Sequence, residues 1–144
     1  MAKFLPKVKL PDKPSDLILL AINDLKAVEQ SEKYVIDMST FHDPDYAVNG
    51  KCAVCFAGSV MAKSLKCVPT KAYDPARFDD KTMKQLYALD SFRQGDIASG
   101  FDYLGIHLPD LVRSEIEVQD YDDDRELFKE QLTKLAKDLK ALGY

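Results

Sequence analysis

Residues Lys51-Cys-Ala-Val-Cys-Phe-Ala-Gly-Ser-Val-Met-Ala-Lys-Ser-Leu-Lys-Cys67 decide how this chain is read. They hold all three cysteines and the only Cys-x-x-Cys in the sequence. Such a run suits a metal site, a redox dithiol or a closely packed central helix. Small and apolar residues dominate it, and Val68-Pro69 supplies a stop, since proline cannot continue a helix and restricts the residue before it. This predicts a helix over residues 51–66. Projected at about 100° per residue, Ala53, Val54, Ala57, Val60, Met61 and Leu65 form a broad apolar face. Cys52, Cys55, Ser59, Lys63 and Lys66 gather on the opposite face. Ala57, Gly58 and Ala62 are small enough to let another backbone approach closely.

Each chemical reading of this stripe has a plainer counterpart. A zinc site would take Cys52 and Cys55 with Cys67, His42 or His107, converging at about 2.0–2.3 Å. No second ligand pair answers the first, and on one helix Cys67 would lie about 18 Å from Cys55 at 1.5 Å per residue. A redox dithiol needs a low-pKa thiolate, and Ala53-Val54 is an apolar interior for one. A cysteine nucleophile needs a histidine base. Only His42 and His107 exist, and Thr40-Phe-His-Asp-Pro44 reads as a loop carrying a surface or capping histidine. The expectation is therefore no catalytic residue, no metal and no cofactor. Both cysteines then act as small hydrophobes in a helix interface. The metal candidates, should that fail, are Cys52, Cys55, Cys67 and His42.

The rest of the chain reads as helices. Ser15 is a good N-cap with Asp16 in the first turn, predicting a helix over 15–31. Tyr34–Met38 is a short strand or the end of that helix, and Ser39–Gly50 is a loop. Asp79-Asp80 opens a helix running through Met83, Leu86, Tyr87 and Leu89 to Arg93, with Gly95 at its C-terminal cap. Asp96 caps a short helix from Ile97 to Leu104, closed by Gly105. Residues 106–121 are ambiguous between helix and strand. The C-terminal helix carries Phe128, Leu132, Leu135, Leu139 and Leu142 at helical spacing, with acidic residues at its start, lysines near its end, and Glu130 and Lys134 as an i,i+4 pair. Asp90 and Arg93 also form a pair. As ligand contacts, Arg93 would hold a carboxylate or phosphate by its planar fork, with Asp96 beside it. The low-complexity and repeat signals that would mark a solenoid are absent.

Composition bounds the function. The chain has 144 residues, 46% of them hydrophobic, and a net charge of −4. That size suits one domain with its own core. The first 72 residues carry 10 Lys against 8 Asp/Glu, and the remaining 72 carry 10 Lys/Arg against 16 Asp/Glu. Neither half is basic enough to neutralise phosphates, which argues against nucleic-acid binding. The acidic run Glu115–Glu126 lacks the order of a calcium loop and reads as a solvated helix start, with mimicry of nucleic-acid charge as its functional alternative. No apolar run reaches the roughly 18 residues of a membrane span. The N-terminus shows no apolar core of a signal peptide. Residues 1–14, with four lysines and three prolines, read as an extended basic arm. An odd cysteine count argues against a disulfide framework and for a reduced, cytoplasmic protein.

Gly50-Lys-Cys-Ala-Val-Cys-Phe-Ala-Gly-Ser-Val-Met-Ala62, followed by Leu86-Tyr-Ala-Leu89 and Phe92-Arg93-x-Gly95-Asp96, resembles small proteins of tailed phages with a central Cys-x-x-Cys-x-x-Gly helix. It is also similar to a bacterial domain family with a central Cys-x-x-Gly-Ala helix and a later Ala-Leu-Asn-Asp segment, which here reads Ala88-Leu89-Asp90 and departs from it. The resemblance spans residues 40–105 and brings no catalytic residues. It implies a phage accessory protein acting in the host cytoplasm.

The sequence thus predicts a mainly α, single compact domain over residues 15–144, with about five helices and room for a small two- or three-stranded β element. The functional expectation is non-enzymatic binding of a host protein or small ligand, with a homodimer as a further arrangement. The alternatives are a metal- or thiol-dependent protein using Cys52 and Cys55, and an acidic nucleic-acid mimic. The candidate binding residues are Cys52, Cys55, Ser59, Lys63, Arg93 and Asp96.

Overall fold

Pro14 starts the first helix, α1, which spans Pro14–Glu29. Its fixed φ suits the first helical position, where no N–H is required. Ser15 is therefore not the N-cap that the sequence suggested. Its hydroxyl instead donates to the carbonyl of Tyr144 at 2.8 Å. The computed structural model describes residues 9–38, 40–44, 51–67, 78–107 and 117–144. Most of the basic arm and of the ambiguous 106–121 stretch lies outside them. Within the arm, Leu10 is buried in the core, and the carbonyl of Pro11 accepts from Gln85 Nε2 at 2.9 Å.

Three short strands follow α1: β1 (Tyr34–Ile36), β2 (His42–Asp43) and β3 (Cys52–Val54). β3 is central, parallel to β1 and antiparallel to β2. Tyr34 stands opposite Cys52, and both Ile36 and His42 stand opposite Val54. This corrects the expected helix over 51–66. Cys52, Ala53 and Val54 are fully buried, and their backbone groups find partners in segments distant in sequence. Cys52 N–H donates to Lys33 O at 2.9 Å, and Val54 O accepts from Asp37 N–H at 2.8 Å. A helical projection, which sees only neighbours along one segment, cannot register such pairing.

The helix begins only at Phe56: α2 spans Phe56–Ala62, with Cys55 as its N-cap. The Cys55 sulfur accepts from Gly58 N–H at 3.4 Å. All seven residues of α2 are buried, so the division into an apolar and a cysteine-lysine face does not exist. α2 ends before Val68-Pro69. Lys66 takes a left-handed φ of 61°, and Cys67 N–H returns to Met61 O at 2.8 Å. Ser64 Oγ donates to Asp24 Oδ2 at 2.5 Å, fastening this turn to α1.

The small residues do permit close approach. A side chain at Gly58 would place its Cβ 1.5 Å from the carbonyl oxygen of Phe41. The Cys55 N–H donates to that same oxygen at 3.4 Å. The central helix therefore lies directly on the backbone that leads into β2.

Three further helices complete the described fold: α3 (Asp80–Arg93), α4 (Ile97–Tyr103) and α5 (Arg125–Ala141). Their N-caps are Asp79, Asp96 and Asp124, whose carboxylates accept from Thr82, Ser99 and Leu127 N–H at 2.7, 3.1 and 3.0 Å. Phe128, Leu132, Leu135 and Leu139 are buried, whereas Leu142 lies just past the helix and is exposed. Lys134 pairs with Asp138 at 3.6 Å rather than with Glu130. The protein is thus mainly α, with five described helices and a three-stranded mixed sheet around one main core. No described helix is long and apolar enough to cross a membrane.

A partly buried polar network ties α1 to α5. Glu29 accepts from Tyr121 OH at 2.5 Å and from Lys129 Nζ at 2.9 Å. Lys129 also pairs with Glu126 at 3.0 Å. Burial alone would lower the Lys129 pKa, but the hydrogen bonds and charges of Glu29 and Glu126 outweigh it and raise the value. Burial and the hydrogen bond to Glu29 both push the Tyr121 phenol well above its usual value.

Gly58→Ala forces backbone apart rather than a flexible side chain, so its cost exceeds ordinary overpacking and reaches about 3 kcal/mol or more. Urea unfolding followed by circular dichroism measures it, and an unchanged midpoint would refute the close approach. Glu29→Ala leaves Lys129 and Tyr121 short of a buried partner and costs about 3 kcal/mol. Because both folded pKa values are raised, the network's contribution is complete at neutral pH and is lost as pH rises above about 10. Tyr121→Phe should flatten that alkaline fall, as measured by unfolding at stepped pH.

Candidate functional site

The residues singled out from the sequence do not form one site. Cys52 projects from β3 beside Tyr34 and His42. Its sulfur lies 3.7 Å from both ring nitrogens of His42. Tyr34 meets the His42 ring edge-on at 6.4 Å, and Lys63 Nζ lies 5.9 Å from the centre of the Tyr34 ring. His42 is buried in β2, which corrects its reading as a surface or capping histidine. Its place opposite Val54 on the antiparallel partner of β3 sets that burial.

The geometry decides what this cysteine-histidine contact can do. The lone pairs and N–H bonds of Nδ1 and Nε2 diverge in the ring plane. A sulfur equidistant from both nitrogens lies along neither direction. The contact is thus sulfur packed on imidazole, not the directed hydrogen bond of a nucleophile and its base. Burial, reinforced by nearby Asp43, raises the Cys52 thiol to about 11. Burial likewise raises Cys55 to about 11, partly offset by the Gly58 amide. Both are protonated at neutral pH. Among the described residues, no three His, Cys, Asp or Glu side chains are grouped as around a metal ion.

The other candidates serve structure. Ser59 is buried, and its hydroxyl donates to Cys55 O at 2.9 Å. Arg93 donates from Nε and Nη2 to Asp90 Oδ1 at 3.3 and 3.0 Å, joining the pair expected from their spacing. The acidic stretch before α5 is partly spent locally. Asp124 caps the helix, and Asp120 Oδ1 accepts from Asp122 N–H at 2.9 Å. Tyr121, which the sequence reading passed over, is the fully buried anchor in its midst.

Asp96 alone leads to a surface feature. An open groove of about 620 Å³ runs along α3 and α4, lined by Lys84, Ser91, Asp96, Ser99, Asp102 and Tyr103 among others. A second depression of about 320 Å³ shares Lys84 and Tyr103 with it and reaches Asp12 and Asp80. Beneath lies a buried edge-to-face pair, Phe92 and Phe101, with centroids 5.6 Å apart. A Cβ at Gly100 would lie 2.2 Å from the Phe92 ring, so the absent side chain lets α4 settle onto α3.

Beside the groove two tyrosines remain outside the core. Tyr87 of α3 is 39% exposed and Tyr103 of α4 is 44% exposed. Their rings are 5.6 Å apart with a 38° tilt. Phe41 meets Tyr87 edge-on at 6.4 Å. The sequence pattern placed Tyr87 on the apolar side of its helix, but Met83, Leu86 and Leu89 fill that side. Tyr103 stands at the end of a short helix, where no helical period marks it. Comparison of the chain with protein-family models, curated proteins and solved structures gives no match.

Thiol reactivity checks the placement of the cysteines. In native protein at pH 8, Cys67, which is only partly buried, should react with an aromatic disulfide reagent before the other two. Cys52 and Cys55 should react only after unfolding, as located by peptide mass spectrometry. Fast native labelling of Cys52 would show an accessible thiolate and overturn the packing assignment.

Proposed function

We propose that this protein is a non-enzymatic accessory protein of the phage type, acting in the host cytoplasm by binding a partner protein. The observation that carries the binding reading is the Tyr87–Tyr103 pair. Two large aromatic rings stand together at the surface, over helices whose phenylalanines are all buried among the described residues. Tyrosine is enriched at protein interfaces, where its ring contributes apolar area and its hydroxyl a hydrogen bond.

The shape of the neighbouring groove favours a macromolecule over a small ligand. Its 620 Å³ falls in the size range of small-molecule sites, about 300–1,000 Å³. Such sites, however, are enclosed and mostly apolar, whereas this one is an open trough whose lining includes lysine, serine and aspartate. The non-enzymatic part is supported by Cys52 and Cys55, which are thiols absorbed into packing and capping. The phage and cytoplasmic parts are supported by the resemblance over residues 40–105 and by the three free cysteines.

A photoreactive benzoylphenylalanine at position 103 tests the surface. In bacterial lysate it should give one discrete adduct, competed by unmodified protein. The same probe at position 137, on the exposed face of α5, should give none. No adduct from position 103, or equal labelling from both positions, would sink the proposal.

A further inference from the structure

We infer that β1 pairs antiparallel with the β1 of a second copy of this chain, joining the two sheets across a two-fold axis at Val35. This surface is separate from the Tyr87–Tyr103 pair, and the pairing does not depend on the binding reading above. Cys52 N–H donates to Lys33 O, and Asp37 N–H donates to Val54 O. With Tyr34 opposite Cys52 and Ile36 opposite Val54, residues 33, 35 and 37 direct their backbone groups toward β3. Backbone groups alternate sides along a strand, so those of Tyr34 and Ile36 point away from β3. β1 is an edge of the sheet, and among the described residues no group meets that outward row of N–H and C=O. Such a row is a template for another strand. Val35, at the middle of it, is 41% exposed.

The sequence around Val35 is its own complement. Turning Lys33-Tyr-Val-Ile-Asp37 end for end about Val35 sets each Lys33 opposite Asp37 of the second copy and each Tyr34 opposite Ile36. Tyr34 and Ile36 then exchange N–H···O bonds, and every outward group of both strands finds a partner. Any other antiparallel register leaves some of those groups unused. Side chains alternate faces, so Lys33, Val35 and Asp37 share one. The two valines meet in a closely spaced pair without hydrogen bonds, with an ion pair on either side. A carboxylate accepts from more than one donor, so Asp37 serves this ion pair alongside its contacts within the chain. Short strands and lysines commonly protect an edge. Here the lysine before the centre is matched by an aspartate after it, so charges that turn away other strands favour a copy of this one. With three residues in each strand, the contact belongs with small, transient interfaces.

Sedimentation velocity of the full chain, from about 10 to about 500 µM, should show a reversible monomer–dimer equilibrium that salt weakens. Lys33→Glu alone and Asp37→Lys alone each set like charges opposite one another at both ends of the pairing. Each should weaken association at least about 5-fold. Mixing the two variants should restore it, because every charged pair across their heterodimer is again of opposite sign. Val35→Cys brings two thiols to about 4.5 Å between Cα atoms, within disulfide reach. Mild oxidation should link that variant through position 35, as located by peptide mass spectrometry. Lys33→Cys, whose two copies lie at opposite ends of the pairing, should link far more slowly. Circular dichroism checks that the charge variants fold, and the cross-link at exposed position 35 decides the question without them. Monomeric sedimentation throughout, cross-linking no faster from position 35 than from position 33, or a mixture of folded charge variants that associates no better than its parts would overturn the inference.

Discussion

The carbonyl oxygen of Phe41 and the missing side chain of Gly58 fix how the sheet meets the central helix. The contact closes a ring of constraints. Phe41 leads directly into β2, β2 pairs with β3, and β3 runs through Cys55 into α2, whose Gly58 returns to Phe41. Because a Cβ would sit 1.5 Å from that oxygen, no rotamer change relieves a substitution. Backbone would have to move, and with it the pairing that buries Cys52 and His42. The same residue carries the constraint outward. The Phe41 ring meets Tyr87 edge-on, and Tyr87 packs against Tyr103 at a 38° tilt. The exposed aromatic pair is therefore linked through Phe41 to the close backbone approach at Gly58.

Two kinds of force hold the layers around that contact. α2 is buried on all sides, and each large apolar side chain it withdraws from water contributes about 1.5–3 kcal/mol. The α1–α5 side depends in part on the Tyr121–Glu29–Lys129 network. A buried ion pair is weak evidence for net stability, because desolvation consumes most of the attraction. Its consequence is different: every member is hydrogen-bonded, so any slip of α5 along α1 leaves a buried charge or hydroxyl without a partner. Apolar burial sets the strength of the packing, and the polar network sets its register.

Much of the fold was legible in the sequence. Asp79, Asp96 and Asp124 cap the helices that their spacing and carboxylates predicted, and Phe128, Leu132, Leu135 and Leu139 bury as their period required. Gly58 stood out as a point of close approach. What was not legible depends on distant pairing. Cys52-Ala-Val54 is a strand because β1 and β2 flank it, and nothing within the run itself announces those partners. Once the strand is recognised, the helical stripe joining Cys52 to Lys63 and Lys66 dissolves. Cys67 returns by a turn at Lys66 rather than continuing an axis. Of the candidate binding residues, only Asp96 lies on the surface groove. In the sequence Tyr87 reads as part of its helix's apolar pattern and Tyr103 is not singled out, because exposure, not residue type, makes them informative.

The placement of chemistry and charge points to one division of roles. The nucleophilic sulfurs of Cys52 and Cys55 face inward, where burial keeps them protonated and packing holds them. The tyrosine rings of α3 and α4, with Asp80 and Asp102, face outward. Part of the acidic content of residues 73–144 borders one of the exposed tyrosines, since Asp96, Asp102 and Tyr103 line the same groove.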